Sequence, residues 1–576
     1  MGGVRVNYIF LKLRFFLERL PTWLILLSIL LINLAIFLPQ SRLDPDSHHD
    51  GYMFAGAVAF SEGKIPNRDF FAQYGPLTPI IQGTWLKVMG LQLVNLRFLT
   101  AIFLSLISLI LYLLIQPKVG KIVAFLVQLS WALSLPRLPL PPALPWSSVI
   151  STLVLLFCIY NFRLAHGTNR NSIYRLVITG IMLSLAPLLR IQIWLFVLLI
   201  SLNWVYLFLK KRITRLMFLS LTLPIVIVSL IIFMLMYATH SLDSFILQCI
   251  KWPRQFYGNT YLPSTIFTKE GLIYWSTWYY YPFYYVLIRK VLFSKRYLAN
   301  VTFSSFDKRK FFLVLILSGY TVITLSLYNA DVHPKSYLNP LLQFQWLAQR
   351  SLLAFFYFLA FERVLRFFTD LLRRRVLGNY FEYLLSLSAI SQLYPGSDPL
   401  HLWWISPILL ATFFTDAQEF YSVRKLHLVK FRNYLLLTVT LSLIILCQYL
   451  SIPRVGFSVP ILRNMSTTVL ERNELQTKIR LISDMKKQYP NSRMIFDCHD
   501  GIFAVANGTY LVADENFVNW GPRFNRFTKS GDIVFLCRTE NSKYQSNYPT
   551  NEFLLLQEVR LIDGSKFQVL QKKHNG

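Results

Sequence analysis

Of the sixteen carboxylates that precede residue 453, five fall close together: Asp44, Asp46, Asp50, Glu62 and Asp69. They share a stretch with His48 and His49 that directly follows the first long apolar run. A carboxylate held at a membrane boundary is partly desolvated, which raises its basicity. A group that must take a proton from an acceptor hydroxyl needs that property. Asp50, flanked by the histidines and entering a helical run, is the candidate general base. Asp50 and Asp46 are also good helix N-caps, and Asp44, Asp46 and Glu62 read as caps or solvated acids. His48, His49 and Asp50 leave room for a divalent metal, but adjacent residues rarely converge on one ion. The spacing therefore names no metal and requires no cofactor.

Phosphate chemistry needs cations, and a guanidinium can fork two phosphate oxygens. Arg68 and Arg190 are the candidates. Arg190 stands in Leu188-Leu189-Arg190-Ile191-Gln192 between two apolar runs. A charge there is costly unless it has a task or snorkels to the interface. Lys251 and Arg254 border Trp252 and read as interfacial anchors. Asp331, His333 and Lys335 form a further cluster, and Asp398 and His401 precede Trp403 and Trp404. Aromatic faces suit the apolar faces of sugar rings; an interfacial belt is the plainer reading of the two tryptophans. Asp497-Cys498-His499-Asp500-Gly501 reads as a strand end with a turn.

The elements that must position these residues follow from composition. The chain has 576 residues, 54% hydrophobic and 15% charged, where a soluble domain carries about 25% charged residues. Apolar runs at 22–40, 94–115, 121–135, 146–163, 174–189, 191–208, 216–238, 276–293, 311–328, 349–368, 378–394, 401–417 and 432–451 predict about thirteen spans. The first lacks a small-residue cleavage pattern and more spans follow it, so it is not a removable signal peptide. The net charge of +30 is distributed by topology. With a cytoplasmic N-terminus, clusters such as Lys210-Lys211-Arg212 and Arg373-Arg374-Arg375 lie inside, as the positive-inside rule requires. The charge is no nucleic-acid footprint.

This topology places residues 41–93, 239–275 and the tail on the outer side. Gly51–Ser61 and Pro79–Met89 predict two helices too short to span, lying at the interface. The expected division is a membrane domain, 1–452, and a small extracytoplasmic α/β domain, 453–576. In the latter, a helix over Leu470–Gln488 precedes strand-like runs at 493–496, 508–512 and 532–536. The five cysteines lack metal-ligand spacing; Cys498 and Cys537 share the tail, as a disulfide or as two thiols.

The outer stretch carries a resemblance. His49-Asp50-Gly51-Tyr52, Glu62-Gly63-Lys64-Ile65-Pro66-Asn67-Arg68-Asp69-Phe70-Phe71 and Gln73-Tyr74-Gly75-Pro76-Leu77 resemble the first outer loop of GT-C glycosyltransferases. The pattern is similar to that of the protein-mannosyltransferase and aminoarabinose-transferase branch, with its dolichyl-phosphate-mannose-mannosyltransferase-like members. The resemblance implies a mainly α, polytopic bundle of GT-C type. It also implies sugar transfer from a polyprenyl-phosphate donor to a lipid, glycan or protein acceptor on the non-cytoplasmic face. An acid of this loop serves as base in that family. His49-Asp50 stands where the family often has Asp-Glu, so Asp50 and His49 become the expected catalytic residues. Arg68 and Arg190 would then hold the donor phosphate. Asp69, Gln73, Tyr74, Gln192, His333, Asp398, His401, Trp403 and Trp404 are the expected substrate contacts.

A transporter or flippase of lipid-linked glycans is the alternative, with a glycan polymerase as a third. Transporters tend to show repeats and mid-membrane ionisable groups. Here no repeat is visible, and Glu382 lies near the basic inner side.

Overall fold

A computed structural model of the chain describes residues 20–46, 49–134, 143–165, 169–251, 253, 356, 358–369, 380–393, 399–416, 439–440, 443, 450, 453–467, 469–496, 530–538, 553–560 and 566–573. It is mainly helical. The helices are α1 (Thr22–Gln40), α2 (His49–Ser61), α3 (Leu77–Met89), α4 (Leu93–Val119), α5 (Lys121–Leu133), α6 (Ser147–Leu164), α7 (Arg170–Leu185), α8 (Ile193–Leu209) and α9 (Arg215–Ala238). A short α10 (Leu242–Ile246) runs into a π-helical turn, Leu247–Lys251, and α11 (Tyr380–Ser391) and α12 (Pro399–Asp416) follow. Uniformly apolar sequence gives helix here because lipid offers the backbone no other hydrogen-bond partner. Asn169 caps α7 by accepting from the Ser172 N–H at 2.8 Å, and Thr214 caps α9 in the same way.

Five described helices are long and apolar enough to cross a membrane: α1, α4, α6, α7 with the turn that extends it to Leu188, and α9. They coincide with the expected spans at 22–40, 94–115, 146–163, 174–189 and 216–238. The expected spans at 276–293 and 311–328, and parts of 349–368 and 432–451, lie outside the described residues.

The chain divides into two compact units. One comprises Met1–Leu113, Arg137–Gly258 and Leu450–Gly576; the other comprises Leu114–Pro136 and Asn259–Tyr449. In the second, Trp131 and Trp403 stack at 4.9 Å and 8°. Each indole N–H donates to the other residue's backbone carbonyl at 3.1 Å.

In the first unit, α2 and α3 form where two short helices were expected, and they pack closely. A Cβ on Gly83 of α3 would stand 2.5 Å from the Ala57 carbonyl oxygen of α2, so only glycine allows this approach. The tail contributes β1 (Val455–Gly456), β2 (Ser466–Thr467), α13 (Val469–Gln488) and a four-stranded sheet. The sheet's order is β3 (Met494–Phe496), β4 (Ile533–Arg538), β6 (Lys566–Lys572), β5 (Phe553–Arg560). β3 and β4 are parallel and the other pairs antiparallel. Leu481, Ile482 and Met485 of α13 pack on Met494, Ile533, Phe535 and Val569 of the sheet. The run at 508–512 and Cys498 lie outside the described residues.

Apolar packing crosses the expected boundary at residue 452. Phe457, Leu462 and Met465 are buried with Phe54, Val58, Leu86, Leu93 and Leu96 in one apolar cluster. The start of the tail thus completes the core around α2, α3 and the head of α4.

That core closes over an ion pair. Arg97, in the first turns of α4, and Asp50, in the first turn of α2, are both fully buried. Arg97 Nε donates to Asp50 Oδ1 at 2.9 Å, and Nη2 donates to Oδ2. Two further guanidinium hydrogens go to the backbone carbonyls of Leu43 and, at 3.0 Å, Asp44. Removing one partner of such a pair strands the other charge in a dry core. Arg97→Leu is expected to destabilise the first unit by about 3–5 kcal/mol, and Arg97→Leu with Asp50→Leu to recover most of that. Denaturant unfolding of the purified protein measures it; a loss in Arg97→Leu below about 1 kcal/mol would contradict the buried pair.

Candidate functional site

The beginning of α2 sets the geometry. Asp46 Oδ1 accepts from the His49 backbone N–H and stands 3.0 Å from His49 Nδ1. In return, the Asp46 N–H donates to Asp50 Oδ2 at 2.7 Å. This reciprocal arrangement resembles a capping box, with the returning carboxylate one residue further on. It also has a chemical consequence. A carboxylate only accepts, so Nδ1 carries the hydrogen and, in the neutral ring, Nε2 carries the lone pair. The side chains of His49 and Asp46 are each 21% exposed, so this end of the site is open to solvent.

An aromatic wall stands beside the imidazole. The Trp146 ring lies 5.0 Å from His49, 5.0 Å from Tyr74 and 6.3 Å from Tyr52. Tyr52 and Tyr74 meet edge to face at 6.0 Å. The Gln73 backbone N–H donates to the Tyr52 hydroxyl at 3.0 Å. Arg190 lies over the Tyr74 ring at 4.6 Å, donates from Nη2 to Ser148 Oγ, and is 3% exposed. Tyr74 can reach this place because Gly75 adopts φ +133°, with its α-carbon against the Leu188 carbonyl; a Cβ there would stand 2.1 Å from that oxygen. Any side chain at 75 would push Tyr74 off Arg190.

The segment after α10 clamps the loop between α2 and α3. Gln248, in the π-helical turn, accepts from Asn67 Nδ2 at 2.8 Å and from the Ala72 N–H at 3.1 Å. Its amide donates to the Asn67 carbonyl at 3.1 Å. Asn67 adopts a left-handed φ of 64°. Burial pushes the neighbouring Cys249 thiol up, which leaves it inert as a nucleophile.

The structure gives several expected residues other places. Asp50, the expected base, is enclosed: both oxygens accept from Arg97 and one also from the Asp46 N–H. Burial pushes its carboxyl up, and Arg97 opposes this. Among the described residues, the groups that meet its oxygens are the Arg97 guanidinium and the Asp46 N–H. Arg68, expected on a phosphate, forks instead onto Asp69 at 2.8 and 2.9 Å, and this holds the Asp69 carboxyl below its usual range. Adjacent residues in a tight turn reach each other more cheaply than a distant ligand. Trp403 and Trp404, expected to face a sugar, are 0% and 1% exposed; Trp403 is spent on Trp131. His401 contacts Trp404 edge to face at 5.1 Å within the second unit. Gln192 precedes α8 and is half-buried. His333 and Asp398 lie outside the described residues, as does His48. Among the described residues no group of three or more His, Cys, Asp or Glu could hold a metal ion.

Arg97, Trp146, Gln248 and the pairing of Asp46 with His49 were not anticipated. Arg97 had a signal: a guanidinium at the head of a long apolar helix must find a partner, the same argument that singled out Arg190. Trp146 and Gln248 had none, because their partners lie far away in sequence.

No family model matches the chain, and no curated protein does. Among solved structures the chain is similar to the apo oligosaccharyltransferase of Archaeoglobus fulgidus, with a TM-score of 0.44 and 12% identity over 84% of this chain and 64% of that one. It is similar to oligosaccharyltransferase AglB of Archaeoglobus fulgidus in complex with an inhibitory peptide and a dolichol-phosphate, at 0.43 and 12% over 85% and 64%. A third is ArnT of Cupriavidus metallidurans bound to undecaprenyl phosphate, at 0.43 and 12% over 95% and 97%. The chain thus spans less than two thirds of the archaeal chains' length. At these scores and identities the likeness gives neither a family nor an activity.

Proposed function

We propose that the chain is a multi-pass membrane glycosyltransferase of GT-C type that moves a sugar from a polyprenyl-phosphate donor to an acceptor hydroxyl on the non-cytoplasmic face. The observation that carries the reading is the Asp46–His49 pair set against Trp146 and Tyr74, with Arg190 behind. In this reading His49 Nε2, not Asp50, takes the acceptor proton. The acceptor oxygen attacks the anomeric carbon, the bond from that carbon to the phosphate oxygen breaks, and the polyprenyl phosphate leaves with the electron pair. Asp46 holds the imidazole in the tautomer that can accept, and stabilises the imidazolium once it forms. Arg190 offers planar donors to the departing phosphate, where a preorganised cation lowers the barrier. The aromatic wall of Trp146, Tyr74 and Tyr52 suits the apolar face of a sugar ring. Asp50 acts through Asp46 as a positioning residue. The loop resemblance to GT-C enzymes points the same way; the acceptor is a lipid, a glycan or a protein.

Mass spectrometry of lipid-linked sugars and surface glycans from cells lacking the protein tests this. A polyprenyl-phosphate sugar is expected to accumulate, its glycan product to vanish, and the wild-type gene to restore it. His49→Ala is expected to lower transfer about 10²–10⁴-fold; a His49→Ala protein that restores the product at the wild-type rate removes the base assignment. If no lipid-linked sugar accumulates, the reaction itself is wrong.

Arg190→Ala is expected to lower transfer about 10²–10³-fold. Arg190→Lys should recover only part, since an ammonium lacks the planar fork. Full activity in Arg190→Ala would place the phosphate elsewhere.

A further inference from the structure

Residues 42–46 form the short turn that leads from α1 to α2, and the tail grips that turn. Arg454 Nε and Nη2 meet the two Asp44 carboxylate oxygens at 3.2 and 3.1 Å. The Arg454 side chain is 7% exposed, so the pair is poorly screened by salt. Ser466 of β2 accepts from the Asp44 N–H at 2.8 Å and donates to the Arg42 carbonyl at 2.9 Å. Residues 42–44 thereby add a short parallel edge to the β1–β2 pair. Asp44 is held at a left-handed φ of 47°, a conformation that persists only where surrounding contacts over-determine it.

From the other side, Arg97 holds the carbonyls of Leu43 and Asp44. A plain connector between two helices needs none of this. What the grip fixes is the next residue but one, Asp46, whose carboxylate meets His49 and whose N–H meets Asp50. A turn free to pivot at Asp44 would swing Asp46 off the imidazole, and a misplacement of an ångström is enough to cost a reaction most of its rate.

We infer that Arg454, in the tail, is a positioning residue for His49: with Ser466 it locks the 42–46 turn so that Asp46 holds the imidazole. The inference rests on the proposed role of His49 as base, but the contact chain can be tested apart from that role. The tail is then a working part of the site, with the segment 453–467 as a strap on the turn that leads into α2.

The first readout is chemical and needs no substrate. The full-length protein is treated with diethyl pyrocarbonate, and the labelling rate of His49 is followed by mass spectrometry of its peptide. Asp46→Asn, which removes the imidazole's partner directly, sets the released rate. Arg454→Ala is expected to raise labelling about threefold or more, toward that rate, and the charge swap Asp44→Arg with Arg454→Asp to return it toward wild type. Labelling of Arg454→Ala at the wild-type rate, with Asp46→Asn raised, overturns the inference.

The second readout is transfer in the complemented cells. Arg454→Ala and Asp46→Asn are each expected to lower it about tenfold, and the double variant to be no worse than the poorer single. A hundredfold loss in the double variant would mean that Arg454 acts elsewhere and overturns the inference as well. If labelling responds to Arg454→Ala while transfer does not, the strap stands and the base role of His49 falls.

Discussion

Arg97 and Asp50 are wholly withdrawn from water, and each is tolerable there only while it stays on the other. A guanidinium that has lost its solvent needs further acceptors, and Arg97 finds two in the carbonyls of Leu43 and Asp44. One side chain therefore dictates where α2 begins, how the chain enters it, and where α4 lies beneath it. In water the same contacts would be worth a small fraction and would fix nothing. Beside the buried cluster of Phe54, Leu86, Leu93 and Phe457 they tie the turn to the head of α4.

The remaining parts of the site are held by close backbone approach and by clamping from distant segments. Gly83 lets α3 lie directly on α2, and Gly75 lets the turn before α3 press on the Leu188 carbonyl. Gln248 ties the segment after α9 to Asn67 and Ala72. These contacts hold the loop before α3 between α2, the Leu188 turn and the segment after α9. The exposure of His49 and Asp46, against the burial of Asp50 and Arg190, leaves the approach on the imidazole side.

The tail packs in two ways. Its sheet and α13 build a core of their own, yet its first fifteen or so residues bury their apolar side chains on α2, α3 and α4. The two behaviours answer to different needs. The sheet satisfies its own backbone, whereas the short β1–β2 pair is too small to stand alone and gains its stability from the turn it grips.

The sequence by itself determined what depends on local pattern. Apolar runs gave the spans at 22–40, 94–115, 146–163, 174–189 and 216–238. The shortness of the runs after Gly51 and Pro79 gave α2 and α3. Caps were legible too: Asp46 read as a cap and serves as one. The tertiary structure decided which of two neighbouring residues is buried and which is open. Asp50 and His49 are adjacent in sequence, but the partner that claims Asp50 lies 47 positions away, and nothing in a local window can show that an acid will be enclosed by an arginine from another helix. The same distance hid Trp146 from Tyr74, Gln248 from Asn67 and Arg454 from Asp44. A pattern reports which residue types are present at an interface; only packing sets which charges lose their water, and so which groups remain able to react.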